Sequence, residues 1–229
     1  MIKALAAAAF LAVTATPAAA QVDNRPRPEV IYGDDDRLDL YQVKTQKLLQ
    51  LADSTVGLFQ ASAVKIQGEK ATLSLQHYGK GYSLCAEEPF WEQSSGAFCS
   101  GSLVAPDLLL TAGHCVTSQL ACEGTKFVFG FSIKEAGKMP TSVNAGEVYG
   151  CSKLIGREQV NAGADWALVK LDRPVAGHLP LELELAPVAN GDAVFVIGHP
   201  AGLPTKVAGG ARVRDASPNG FFVANLDTY

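Results

Sequence analysis

The chain has 229 residues, 48% of them hydrophobic and 18% charged, an ordinary globular composition with room for a sizeable apolar core. A formal net charge of −4 excludes the strongly basic surface that nucleic-acid binding requires. It is equally far from the extreme acidity of a disordered chain.

The first twenty residues read as an export signal. Lys3 supplies the positive start, residues 4–13 form a short apolar run, and Ala18-Ala19-Ala20 offers a small-residue cleavage site before Gln21. The run is too short to span a bilayer and is followed by Pro17, so a membrane anchor is the poorer reading. The mature protein is expected to be secreted or periplasmic, with no membrane attachment. Residues 21–53 are polar, with Pro26, Pro28 and the acidic run Asp34-Asp35-Asp36, then a short helix around residues 41–52. They are expected to form a propeptide or N-terminal extension with a solvated charge run.

From Ser54 the pattern changes to short strands broken by turn residues. Residues 55–60 and 63–67 are β-rich, and Gly68-Glu69-Lys70 turns the chain into an alternating run over 71–75. A hairpin is predicted from 98–104 through Pro106-Asp107 to 108–111. Further strands are predicted at 126–133, 143–149 and 166–171. The expectation is an all-β domain over residues 54–172. Residues 173–190, with Pro174, Pro180 and Pro187, read as a linker. Strands at 192–197, 206–214 and 220–226 then open a second β unit over residues 191–229. Three strands are too few to close a barrel, so this unit is expected to be incomplete.

Export places the five cysteines, Cys85, Cys99, Cys115, Cys122 and Cys151, in an oxidising compartment. No C-x-x-C pair or second Cys/His cluster suggests a metal site, and no cofactor is expected. The predicted hairpin brings Cys99 beside Cys115, where a disulfide can form. Cys122 with Cys151 is one further pairing, and Cys85 is an equal competitor. An odd count leaves one thiol free or paired outside the chain.

Two stretches carry chemistry. Leu110-Thr111-Ala112-Gly113-His114-Cys115 sets a histidine at the end of an apolar strand, beside a cysteine whose bridge would pin its loop. Asp165-Trp166-Ala167-Leu168-Val169-Lys170-Leu171 opens an apolar strand with an aspartate, whose burial is costly unless it is hydrogen-bonded. An imidazole N–H is a suitable partner, and the pair would fix the tautomer that leaves the other ring nitrogen free as a base. His199, in Gly198-His199-Pro200, reads as a structural group at a strand end, and His77 and His178 have no motif around them.

The stretches FCSGSLVAPDLLLTAGHC and DWALVKL resemble those around the histidine and aspartate of chymotrypsin-fold (trypsin-like) serine peptidases. TAGHC, VIGHPAGLPTK and FFVANLDTY are most similar to the bacterial branch that includes glutamyl endopeptidases. The resemblance covers roughly residues 54–229. It implies two six-stranded antiparallel Greek-key barrels with the active site between them, the second barrel incomplete in this chain. It further implies His114 as general base, Asp165 as its orienting carboxylate, protein or peptide substrates, and a monomer. Asp227 falls near the family's primary specificity pocket, where an acid would favour basic side chains.

The family's nucleophile motif is missing. In this fold the chain order is His, Asp, Ser, and the one serine after Asp165 is Ser217. No glycine frames it, and Pro218 has no N–H to shape an anion-binding loop. In the bacterial branch a segment like ANLDTY precedes a G-x-S-G-S motif. The expectation is therefore a serine endopeptidase present as a fragment, inactive without its nucleophile and oxyanion hole. The rival is a non-catalytic binding protein on the same barrel.

Overall fold

The computed structural model describes residues 35–228, so the expected export signal lies outside the described residues. In chain order the elements are β1 (Arg37–Asp39), α1 (Gln46–Ala52), β2 (Thr55–Gln60), β3 (Val64–Gln67), β4 (Lys70–Leu73), β5 (Gln76–His77), α2 (Tyr78–Gly81) and β6 (Ser94–Ser95). Then come β7 (Cys99–Ala105), β8 (Leu108–Thr111), α3 (Gln119–Glu123), β9 (Thr125–Val128), β10 (Ser142–Asn144), β11 (Val148–Gln159) and β12 (Asp165–Leu171). The last three strands are β13 (Ala193–Gly198), β14 (Lys206–Asp215) and β15 (Val223–Ala224). No helix among the described residues is long and apolar enough to cross a membrane.

Six antiparallel strands close a barrel in the order β11-β12-β8-β7-β2-β9, with β9 returning to β11. Side chains on alternate positions of these strands fill the barrel. Leu109 of β8 points in, as do Ala167, Val169 and Leu171 of β12, and all four are buried. They meet Val56, Leu58, Leu103, Phe127 and Phe129 in one core. Each fully buried aliphatic or aromatic side chain there contributes about 1.5–3 kcal/mol. The β7–β8 hairpin turns at Pro106-Asp107, with Ala105 opposite Leu108. Beside the barrel, β10-β4-β3 form a small sheet over a second core that contains Phe59, Leu73 and Phe131.

The predicted strand over 126–133 ends at Val128, because Gly130 takes a positive φ of 73° and turns the chain. The predicted strand over 143–149 is two strands. A turn at Ala145–Glu147 separates β10 from β11, and β11 then continues twelve residues through a polar stretch that its pairing with β12 holds extended.

The second unit is a sheet in the order β1-β14-β13, with β15 also pairing β14. The segment expected to be a propeptide or N-terminal extension contributes to this sheet. Residues 37–39 are β1 of this sheet, with Leu38 opposite Val207. Helix α1, which begins at Gln46 rather than near residue 41, brings Leu48 and Leu49 against Val43, Ala52 and Val207. The acidic run is also less free than expected, since Asp35 pairs with Arg37 at 2.7 Å.

The strongest tie in this unit is electrostatic. Lys206 Nζ is fully buried and donates to Asp39 Oδ1 (2.5 Å), Gln93 Oε1 (2.7 Å) and the Pro204 carbonyl (3.2 Å). Gln93 Nε2 donates to the other Asp39 oxygen at 2.8 Å. Burial pushes the Lys206 ammonium down to about 8, with Asp39 holding it charged.

The stretch from Asp172 to Asn190 has no regular element but is fastened to the barrel. Leu181 N–H donates to Leu103 O (2.8 Å) and Ser54 Oγ to Leu179 O (2.6 Å). His178 stacks on Phe129 and bridges two carboxylates, Nδ1 to Asp53 (2.8 Å) and Nε2 to Glu147 (2.7 Å).

Candidate active site

Antiparallel pairing sets Thr111 of β8 opposite Ala167 of β12, so the end of one strand lies beside the start of the other. His114 follows Thr111 by three residues and Asp165 precedes Ala167 by two. Sequence positions 51 apart are thereby brought into contact.

Two bonds join them. His114 Nδ1 and Asp165 Oδ2 are 2.6 Å apart, and the His114 backbone N–H donates to Asp165 Oδ1 at 3.0 Å. The carboxylate accepts, so Nδ1 carries the proton and Nε2 keeps a free lone pair. The hydrogen bond from His114 is the main cause holding the Asp165 carboxyl below the usual range, and its slight burial works the other way. The His114 side chain is 56% exposed and that of Asp165 36%, so the pair stands open to a ligand.

The loop that carries His114 is constrained from three sides. Cys115 N–H donates to Ala112 O (3.1 Å), and a disulfide joins Cys115 to Cys99, with their Cα atoms 6.2 Å apart. Gly113 has no room for a side chain. A Cβ there would collide with the carbonyl oxygens of Glu158 and Trp166 and crowd Asp165 Oδ1. A second disulfide joins Cys122 of α3 to Cys151 of β11, and Cys85 is an exposed free thiol. The sulfurs of Cys99 and Cys115 lie within 4.8 Å of a ring nitrogen of His114. Bonded to each other, they present no thiolate to a metal.

His114 faces a cleft of about 910 Å³ between the barrel and the second sheet, lined also by Ser100, Gly198, His199 and Thr228. Ser100 Oγ accepts the His199 N–H at 2.8 Å and fastens the second sheet to β7. The His199 ring lies parallel to Phe131, and its Nδ1 donates to Leu203 O at 3.0 Å. Nε2 is then a buried acceptor without a partner among the described residues. Burial pushes this imidazole down to about 4, so it is neutral at pH 7.

Two other sequence-derived residues do not line this cleft. Asp227, expected near a specificity pocket, is 3% exposed and does not line the cleft. Its carboxylate accepts the Asp36 N–H at 3.1 Å, so it is turned into the protein against the N-terminal segment. Ser217 Oγ donates to Asp215 at 2.6 Å in an exposed loop, also outside the cleft. Among the described residues no serine or threonine hydroxyl bonds the free Nε2 of His114. Sequence reasoning missed Ser100, which falls inside a quoted motif, and Arg157, whose two bonds to Gly113 no local pattern announced.

A family model for the trypsin-like peptidase domain matches residues 99–228, a span that holds His114, Asp165 and most of the second sheet. The chain belongs to that family. Its mostly β architecture and closed six-stranded antiparallel barrel are consistent with a chymotrypsin-like fold. Chymotrypsin-like elastase family member 3B of Macaca mulatta is 36% identical over 84 residues, covering 35% of this chain and 32% of that protein. Proproteinase E of Bos taurus is 31% identical over 129 residues, 55% of this chain and 48% of that protein. The chain thus spans about a third to about half of the length of these relatives. A solved structure of the Rv3671c protease in an inactive form superposes with a TM-score of 0.39 at 14% identity, covering 73% of this chain and 55% of that one.

Proposed function

We propose that the protein is an exported serine endopeptidase in which His114 is the general base and Asp165 its orienting carboxylate. The observation that carries this reading is the pair of hydrogen bonds that Asp165 accepts from one residue, from the ring Nδ1–H and the backbone N–H of His114. That grip fixes both the tautomer and the ring plane, leaving Nε2 to take a proton from an attacking hydroxyl and return it to the leaving amine. Negative charge on Asp165 then stabilises the imidazolium that forms in between. The cleft beside it suits an extended peptide, and nothing in this chemistry calls for a metal or organic cofactor. The TAGHC and ANLDTY stretches support the bacterial branch that includes glutamyl endopeptidases, and residues 1–20 support secretion or a periplasmic location.

The reading requires a serine and oxyanion donors from outside residues 35–228, because no described hydroxyl reaches His114 Nε2. Residues 35–228 by themselves are then expected to be inactive, and the protein to act as a monomer.

The test is a fluorophosphonate probe applied to the full-length, processed protein. Labelling is expected, together with a loss in kcat of about 10⁶ in His114→Ala and about 10⁴ in Asp165→Asn. A folded, processed sample that does not label would sink the proposal.

A further inference from the structure

The catalytic pair is backed by a third residue that touches neither ring nor carboxylate. Arg157, on the second half of β11, donates from Nε (3.1 Å) and Nη2 (2.9 Å) to one acceptor, the carbonyl oxygen of Gly113. Nη2 also donates to Gln159 Oε1 at 2.7 Å, which holds the guanidinium in plane. The Gly113 carbonyl belongs to the same peptide group as the His114 N–H, and that N–H donates to Asp165 Oδ1. A cation on the oxygen of a peptide draws electron density from its nitrogen and strengthens the N–H as a donor. Polarisation is therefore passed from Arg157 through a single peptide unit to Asp165.

The rest of the β11 end supports the same unit. Gln159 pairs opposite Asp165, Glu158 opposite Trp166 and Arg157 opposite Ala167. Trp166 Nε1 donates to Glu158 Oε2 at 3.2 Å. The Glu158 carbonyl occupies the space where a Cβ on Gly113 would stand, so only glycine fits at the start of the 113–114 peptide.

We propose that Arg157 is a positioning residue, which orients Asp165 and the His114 ring through the 113–114 peptide without contacting substrate. The inference rests on the assignment of His114 and Asp165 as the catalytic pair. Lysine at this position could make one such bond but not the forked pair, so it replaces arginine only in part.

The full-length protein carrying Arg157→Met is expected to lose about tenfold to a hundredfold in kcat with KM little changed, since small misplacement of a catalytic group has effects of that size. Arg157→Lys should recover part of the loss. The second readout does not depend on turnover. The Nδ1 proton shared by His114 and Asp165 should give a low-field proton NMR resonance in the unsubstituted protein, shifted or broadened in Arg157→Met and intermediate in Arg157→Lys. Loss of melting temperature in Arg157→Met with that resonance and kcat unchanged would show a merely structural role and overturn the proposal. Should Arg157→Met fail to fold, Arg157→Lys decides by the same resonance, and an unshifted signal overturns it. A full-length protein without hydrolase activity would sink the enzymatic reading, while the resonance would still report whether Arg157 positions the pair.

Discussion

The barrel and the second sheet are held by different physics. The barrel closes on itself, has no free edge, and fills its interior with aliphatic and aromatic side chains stapled by two disulfides. The second sheet has four strands and a small apolar cluster, and its central tie is an ion pair between Lys206 and Asp39, 167 residues apart. It leaves Phe195, Phe221 and Phe222 exposed. The barrel is therefore expected to be vulnerable to loss of volume and the sheet to loss of one charge.

The largest effects should separate the two. Phe127→Ala opens a cavity in the barrel core and is expected to cost about 3–5 kcal/mol. Asp39→Ala strands a buried cation and is expected to cost a similar 3–5 kcal/mol. The distinction lies in where the cost falls. Amide hydrogen exchange should show Asp39→Ala stripping protection from β13 and β14 while Leu109 and Val169 stay protected, whereas Phe127→Ala weakens the barrel. Equal loss of protection in both regions by both variants would show one cooperative unit and break the comparison.

Next in size is an acid effect centred on the second sheet. His199 titrates near 4 in the folded chain against about 6.5 unfolded, so its contribution is present above 6.5 and lost as pH falls toward 4. That loss is on the order of 3 kcal/mol at full extent. His199→Gln should flatten the melting-temperature profile over this range, and an unchanged acid slope would count against it.

The smallest effect has the opposite sign and belongs to the barrel side. Burial lowers the affinity of His178 for its proton, but bonds to Glu147 and Asp53 outweigh burial and raise it overall. Stability from this bridge is complete below about 6.5 and lost as pH rises through the folded value. Because Asp53 and Glu147 are partly exposed, solvent screening keeps the contribution small. Melting temperature should decline from pH 6 to pH 8, with a shallower decline in His178→Gln. Parallel profiles would remove His178 as the cause.

Much of the barrel was legible because its information is local. Strands 55–60 and 108–111 were read with the bounds the structure has, since β-rich composition carries the first and the turn at Pro106-Asp107 the second. His114 and Asp165 were legible because each sits in a short stretch whose chemistry is unusual for its position, a base after an apolar strand and an acid opening one. The second half of β11 was not legible. SKLIGREQ is mostly exposed, has no two-residue alternation of burial, and is extended only because β12 pairs with it. Arg157 lay hidden there for the same reason. Strand β1 is three residues with charges at both ends, and its partner Lys206 is too distant in the chain for any window to connect them.

The sequence by itself determined barrel strands β2, β7, β8 and β12, the turn at Pro106-Asp107, and which histidine and aspartate to watch, because those features arise from side chains within a few positions of one another. Tertiary structure alone decided that Cys122 pairs with Cys151 and leaves Cys85 free. It alone fixed residues 37–39 in the second sheet and bound His178 between two acids. It also set a guanidinium behind the Gly113 carbonyl. Each of these depends on a partner dozens to more than a hundred residues away, and such a contact becomes favourable only once the rest of the fold has met the entropic cost of bringing the two together.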